Sequence, residues 1–176
     1  VTQSNEIKFG DFMEEIVTEY IGKLGYRNLE KNIGRNSDGD MLNTDQLFVD
    51  KENTIFLVEQ KIRDDHDSTK KRGQFQNFEK KVILLKEKYP KQKLVACMWF
   101  IDDGLTKNLN FYKSELNKVN MSNTKLHIFY GSDFFSKLLN AESAWVEITS
   151  YLQKNKVERS SEVLAIPDFD TSPEIL

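Results

Sequence analysis

The chain has no means of forming an internal disulfide. Its 176 residues include one cysteine, Cys97, set in an apolar run where it reads as a small packed hydrophobe, which fits a reducing compartment. No apolar stretch approaches the roughly 20 residues that a membrane-crossing helix needs, and no apolar leader segment opens the chain. A cytoplasmic protein is the expectation. Proline is scarce, with three residues, and glycine numbers eight, so long disordered regions are not expected before the C-terminal tail. An overall positive charge is lacking too: the net charge is −3, which taken alone argues against a nucleic-acid partner.

What is present changes that picture. With 39% hydrophobic residues, the chain can bury one sizeable core, and one domain over residues 1–156 followed by a polar arm over 157–176 is the expected organisation. Charge is unevenly spread. Residues 59–93 carry eleven Lys/Arg against six Asp/Glu, a local balance of +5, so the remainder sums to −8. Such asymmetry points to a localised anionic partner; the bland alternative is a set of solvated, lysine-rich helix faces.

Hydrophobic periodicity sets out the elements. Residues 11–24 form an amphipathic helix with Phe12, Met13, Ile16, Val17, Tyr20, Ile21 and Leu24 on one stripe, stopped by Gly25. Most of its acids, Glu14, Glu15 and Glu19, read as solvated; one could reach a site built on the strands that follow, and periodicity does not choose among them. A short strand is expected near 29–33 and turn chemistry over 35–40. Residues 41–49 read as a strand, 50–53 as a turn and 54–63 as the returning strand. A polar segment over 64–73 leads to a helix over 74–88, with Phe75, Phe78, Val82 and Leu85 inward. Strands over 93–101 and 126–130 bracket a helix over 106–120, and helices over 133–139 and 144–155 follow. Strands alternating with helices after a hairpin predict an α/β fold: a central mixed β-sheet flanked by helices on both faces.

The stretch at 54–63 sets charge where a buried strand should have none. Around Ile55, Phe56, Leu57, Val58 and Ile62 it places Glu59 and Lys61, two apart and so on one face. An unpaired buried charge there costs several kcal/mol, and a metal ion removes that cost. Symmetric pairing about the turn makes residue numbers across the hairpin sum to about 103, placing Asp45 opposite or diagonal to Glu59, about 5 Å away. Two hard carboxylates suit Mg²⁺, which takes one or two and keeps several waters. A lysine beside them can orient or deprotonate an attacking water, or offset charge on a pentacovalent phosphate, as metal-assisted phosphodiester hydrolysis requires. The alternative is a plain strand ion pair at a sheet edge.

Asp45 with Glu59-Gln60-Lys61, after an N-terminal helix and before a helix and strand, resembles the PD-(D/E)XK nuclease superfamily. The segment from Val58 to Gln74 resembles, more narrowly, type II restriction endonucleases. The likeness covers roughly residues 10–135. One departure is plain: Thr44, not proline, precedes Asp45, and Asp38, Asp40 and Asp50 remain rivals as first ligand. The resemblance implies a restriction-endonuclease-like core in which Asp45, Glu59 and the Gln60 carbonyl bind Mg²⁺ and Lys61 is the catalytic lysine. It implies double-stranded DNA as substrate, cut as a homodimer, and a cognate DNA methyltransferase as companion. Ser68, Thr69, Lys70, Lys71 and Arg72 then suit phosphates, while Arg63 and Gln74 suit guanine and adenine edges; the bland reading is a solvated loop. Asp64, Asp65, His66 and Asp67 form a weaker candidate for a second metal site, and His127 reads as a sheet residue. Alternative functions are a repair-type or structure-specific nuclease of the same fold, or a DNA-binding module that does not cut.

Overall fold

The computed structural model describes residues 3–158. A long helix, α1 (Gln3–Lys23), opens the chain, eight residues ahead of the start that periodicity predicts. Gly25, at φ 98°, ends it, a left-handed conformation that glycine adopts without steric cost. Two short strands, β1 (Arg27–Asn28) and β2 (Asn32–Arg35), then β3 (Met41–Asn43), β4 (Gln46–Val49) and β5 (Ile55–Lys61) follow. Beyond them lie α2 (Ser68–Lys88), β6 (Leu94–Phe100), α3 (Leu109–Lys118), β7 (Thr124–Tyr130), a π-helical turn over Phe134–Leu138 and α4 (Glu142–Glu158).

Five strands make the main sheet in the order β1-β4-β5-β6-β7. β1, β4 and β5 are antiparallel neighbours, while β5, β6 and β7 run parallel. The mixed sheet is therefore a hairpin extended by two parallel strands, each reached through a helix, as parallel pairing requires. Alternation along the strands divides the core in two. Phe48, Phe56, Val58, Cys97 and Trp99 face α1 and α4. Leu47, Ile55, Leu57, Ala96 and Met98 face α2 and α3. All seven residues of β6 are buried, the near-continuous apolar run expected of a strand covered on both faces. Each fully buried Leu, Ile or Phe contributes roughly 1.5–3 kcal/mol, so this interior strand does much to hold the sheet together.

Two local expectations are corrected. The strand over 41–49 is broken: β3 pairs with β2 in a separate two-stranded sheet, and only β4 enters the main one. The break at Thr44 and Asp45 has a backbone cause, since Thr44 N–H and its hydroxyl both turn to the Lys31 carbonyl. The polar segment over 64–73 is shorter than predicted, because α2 begins at Ser68, capped by Asp67, which accepts from the Thr69 and Lys70 amides at 3.0 and 2.9 Å. The arm expected over 157–176 lies outside the described residues from 159 onward.

Candidate active site

The β4–β5 register pairs Gln46 with Val58 and Val49 with Ile55, one residue from the symmetric expectation. Extended by one position, it sets Asp45 directly across from Glu59. Asp45 and the Glu59–Gln60 segment are joined by reciprocal bonds: Asp45 N–H donates to Glu59 Oε2 at 3.2 Å, and Gln60 N–H donates to Asp45 Oδ2 at 2.7 Å. Here the break in the strand matters, since it turns the Asp45 carboxylate toward the end of β5. Asp45 therefore reaches the edge where Gln60 and Lys61 stand.

Glu59 is buried, at 2% exposure. Burial first, then the nearby Asp45 charge, pushes its carboxyl above the ordinary value of 4.5. The opposing influences are Lys81 of α2, whose Nζ lies 2.5 Å from Glu59 Oε1, and then the charge of Lys61. Lys61 lies on the other side, half-buried, with no ion-pair partner among the described residues.

Gln60 points to the opposite sheet face and joins a polar relay under α1. Thr18 Oγ1 donates to Gln46 Oε1 at 2.8 Å. The Gln46 amide donates to the Glu14 carbonyl and to Gln60 Oε1, at 2.9 and 2.7 Å. Lys31 Nζ contacts Glu14 Oε2 at 3.1 Å and Thr18 Oγ1 at 3.0 Å. Glu14 is held above 4.5, chiefly by burial, with the charges of Asp45 and Asp11 acting in the same direction against Lys31. Tertiary structure thus makes the choice that periodicity could not: Glu14 faces this site, whereas Glu15 and Glu19 line a separate groove between α1 and α4.

These side chains border an open cleft of about 380 Å³, lined by Glu6, Gly10, Asp11, Glu14, Asp45, Gln60, Lys61 and neighbouring isoleucines. Glu59 is not on its wall but behind it. The donors available to a metal are hard oxygens, and the second Asp45 oxygen is unengaged among the described residues. Glu59's raised affinity for a proton beside Asp45 is the electrostatic condition that a divalent cation relieves. Among the described residues no three acidic, His or Cys side chains are grouped closely enough to cage an ion. Two carboxylates and a carbonyl fit Mg²⁺, which keeps waters of its own, better than a metal that demands a full protein cage.

The remaining candidates separate. Arg63 lies beside the site but is ion-paired to Glu6 of α1 and only 15% exposed, with Asp65 at 4.0 Å. Ser68, Thr69, Lys70 and Arg72 lie exposed on the first turns of α2; Lys71 sits 4.8 Å over the Phe111 ring, and Gln74 is half-buried one turn on. Asp64 is fully buried and accepts from the Asn108 amide N–H at 2.8 Å, Asn108 Nδ2 at 2.7 Å and Tyr130 O–H at 2.6 Å. With Asp64 engaged in the core and Asp67 in a helix cap, those two do not converge with Asp65 and His66. Asp50 accepts from Glu52 and Thr54 in the hairpin turn, and Asp40 lies 3.9 Å from Lys80. Asp38 is exposed in the β2–β3 turn. His127 stacks on Phe129 within β7, and burial lowers its pKa. Lys81 and Gln46 are the residues that sequence reasoning passed over. Lys81 was detectable: it falls on the stripe of Phe78, Val82 and Leu85, where a charge is out of place.

A mixed sheet covered on both faces, with acids and a lysine gathered at one end of its hairpin, has the architecture of a restriction-endonuclease-like nuclease. The profile of the family described as HinfI, type II restriction endonuclease, matches residues 26–156. The chain belongs to that family. Membership places it among the nucleases, hydrolases for which the family implies a DNA substrate. No curated protein and no solved structure matches the chain. Among the described residues no helix is long and apolar enough to cross a membrane.

Proposed function

We propose that the protein is an Mg²⁺-dependent, sequence-specific type II endonuclease of the PD-(D/E)XK superfamily that hydrolyses phosphodiester bonds in double-stranded DNA. The observation that carries this reading is the reciprocal bonding of Asp45 with the Glu59–Gln60 segment, beside a Lys61 that has no ion-pair partner among the described residues. Asp45, Glu59 and the Gln60 carbonyl are the proposed ligands. When bound, Mg²⁺ supplies Lewis acidity and lowers the pKa of a coordinated water.

The chain's own residues do the rest. Asp45 and Glu59 each accept from a backbone N–H of the opposite segment, which supports their being oriented before DNA arrives, where preorganised electrostatics gain their effect. Lys61, with no ion-pair partner among the described residues, would orient the attacking water or stand beside the negative charge that grows on the phosphate, and could take a proton from that water only as the neutral amine. Ser68, Thr69, Lys70, Lys71 and Arg72 project from the start of α2, next to the strand that ends in Lys61, and are the proposed phosphate contacts. Gln74, and Arg63 once exchanged from Glu6, are the proposed base readers. The protein would act as a homodimer, so that two such sites cut two strands, and a companion DNA methyltransferase would protect the host's own sites.

Incubation with phage or plasmid DNA and Mg²⁺ tests the reading through the pattern produced. Discrete fragments support a site-specific enzyme. A smear would instead indicate a nonspecific or structure-specific nuclease. DNA that is shifted but uncut would leave a binding module.

A further inference from the structure

Helix α2 buries Phe75, Phe78, Val82 and Leu85 against the sheet, and Lys81 is buried with them. Position 81 is one turn from both 78 and 85, so helix geometry sends its side chain inward. The side chains of Lys81 and Glu59 are only 9% and 3% exposed. Desolvating an ammonium is costly, and an apolar residue would pack here at no such cost. Something other than packing therefore accounts for a lysine at this place.

The partner suggests what. Glu59 is no ordinary core acid; its free edge faces Asp45, and Lys61 on the same strand face lines the open cleft. One carboxylate thus has a lysine on each side, one toward solvent and one in the core. Among the described residues the solvent-side lysine makes no ion pair and acts on Glu59 through its charge alone, whereas the buried one is in contact. Lys81 holds Oε1, leaving Oε2, among the described residues, with only the long 3.2 Å bond from Asp45 N–H.

We propose that Lys81 is the resident cation of the site, a positioning residue that balances Glu59 before any divalent ion arrives and against which that ion competes for the carboxylate. The inference rests on the metal site proposed above. It makes the metal-free protein stable as it stands and keeps its hold on divalent ions weak until DNA phosphate adds a further ligand.

Thermal unfolding of the full chain without DNA, in chelator and in saturating Mg²⁺, tests it across four proteins. In chelator, Lys81→Met is expected to fall roughly 6–20 °C below wild type, because it leaves a buried charge unbalanced. Addition of Mg²⁺ should raise Lys81→Met by more than it raises wild type. A tenfold gain in ion affinity adds roughly 3–6 °C to that rise. Lys81→Arg, which keeps the charge, should behave as wild type. A lysine with a merely structural role would lower the melting temperature and leave the Mg²⁺-induced rise unchanged, and that result would overturn the proposal. So would a Lys81→Met chain that stays unfolded in Mg²⁺ as in chelator, since the ion would then have failed to replace the ammonium. Glu59→Gln separates the two ideas. If it retains the full Mg²⁺-induced rise, the metal site is wrong; if it loses the rise while Lys81→Met matches wild type, only the role of Lys81 is.

Discussion

Replacing Asp64 by asparagine removes a charge and inserts a donor at a point where three donors already converge. Asp64 lies in the connection between β5 and α2, and its buried carboxylate ties that segment to Asn108 and to Tyr130 at the end of β7. An asparagine with its oxygen in the Oδ2 place keeps the Asn108 N–H and Tyr130 bonds in weakened, uncharged form. Its amide then meets Asn108 Nδ2 donor to donor. Asn108 can relieve the clash only by turning its own amide, which forfeits its bond to the His66 carbonyl. Hydrogen bonds to charged groups contribute about 1.5–3 kcal/mol each, so the net loss should be about 1.5–3 kcal/mol for Asp64→Asn and at least about 3 kcal/mol for Asp64→Ala. For a chain of this size the first corresponds to a fall of roughly 3–12 °C in Tm. Urea unfolding with an unchanged m-value is the assay. A loss below about 0.5 kcal/mol for Asp64→Asn, within the range of ordinary surface changes, would refute the claim that this carboxylate fastens the start of α2 to the sheet.

Other consequences are open to similar measurement. Glu14 is held above its ordinary value of 4.5 in the folded chain, so the folded state binds more protons than the unfolded one as pH rises above that value, and stability falls through that window. Glu14→Gln should flatten this slope in Tm against pH, and an unchanged slope would contradict the burial argument. Gly131 has φ 58°, and a Cβ there would meet Asp103 Oδ2 at 2.8 Å; Gly131→Ala should cost about 1–3 kcal/mol by urea unfolding. Lys70→Ala should weaken DNA binding on every sequence and reduce the salt slope by about 1. A change in cleavage site with affinity intact would mean that Lys70 reads bases.

The sheet was legible in the chain because its signals are local. The consecutive apolar residues of β4 and β5, the seven-residue run of β6 and the polar turn between the hairpin strands each carry their own pattern. Fold class and the facing of Asp45 and Glu59 follow from those. The break at Thr44 was not legible, since β3 and β4 have one apolar pattern and only the tertiary bond to Lys31 divides them. The start of α2 was hidden for a different reason: a run of Ser, Thr, Lys and Arg has no apolar stripe, and Asp67 looks like one more loop acid until its cap is seen. Glu14 could not be told from Glu15 and Glu19, because which face of α1 meets the end of β5 depends on how the helix is docked. Lys81 leaves a signal, a charge on an apolar stripe, but the stripe alone does not show that its partner is Glu59 on the sheet.

The central claim is that Asp45, Glu59 and Lys61 act together in metal-dependent cleavage. Its most direct test is DNA cleavage in Mg²⁺ by wild type, Asp45→Asn, Glu59→Ala and Lys61→Ala, with DNA binding followed in parallel. The account predicts discrete fragments from wild type alone, with all three variants still binding DNA. Cleavage at wild-type rate by any folded one of the three would contradict it.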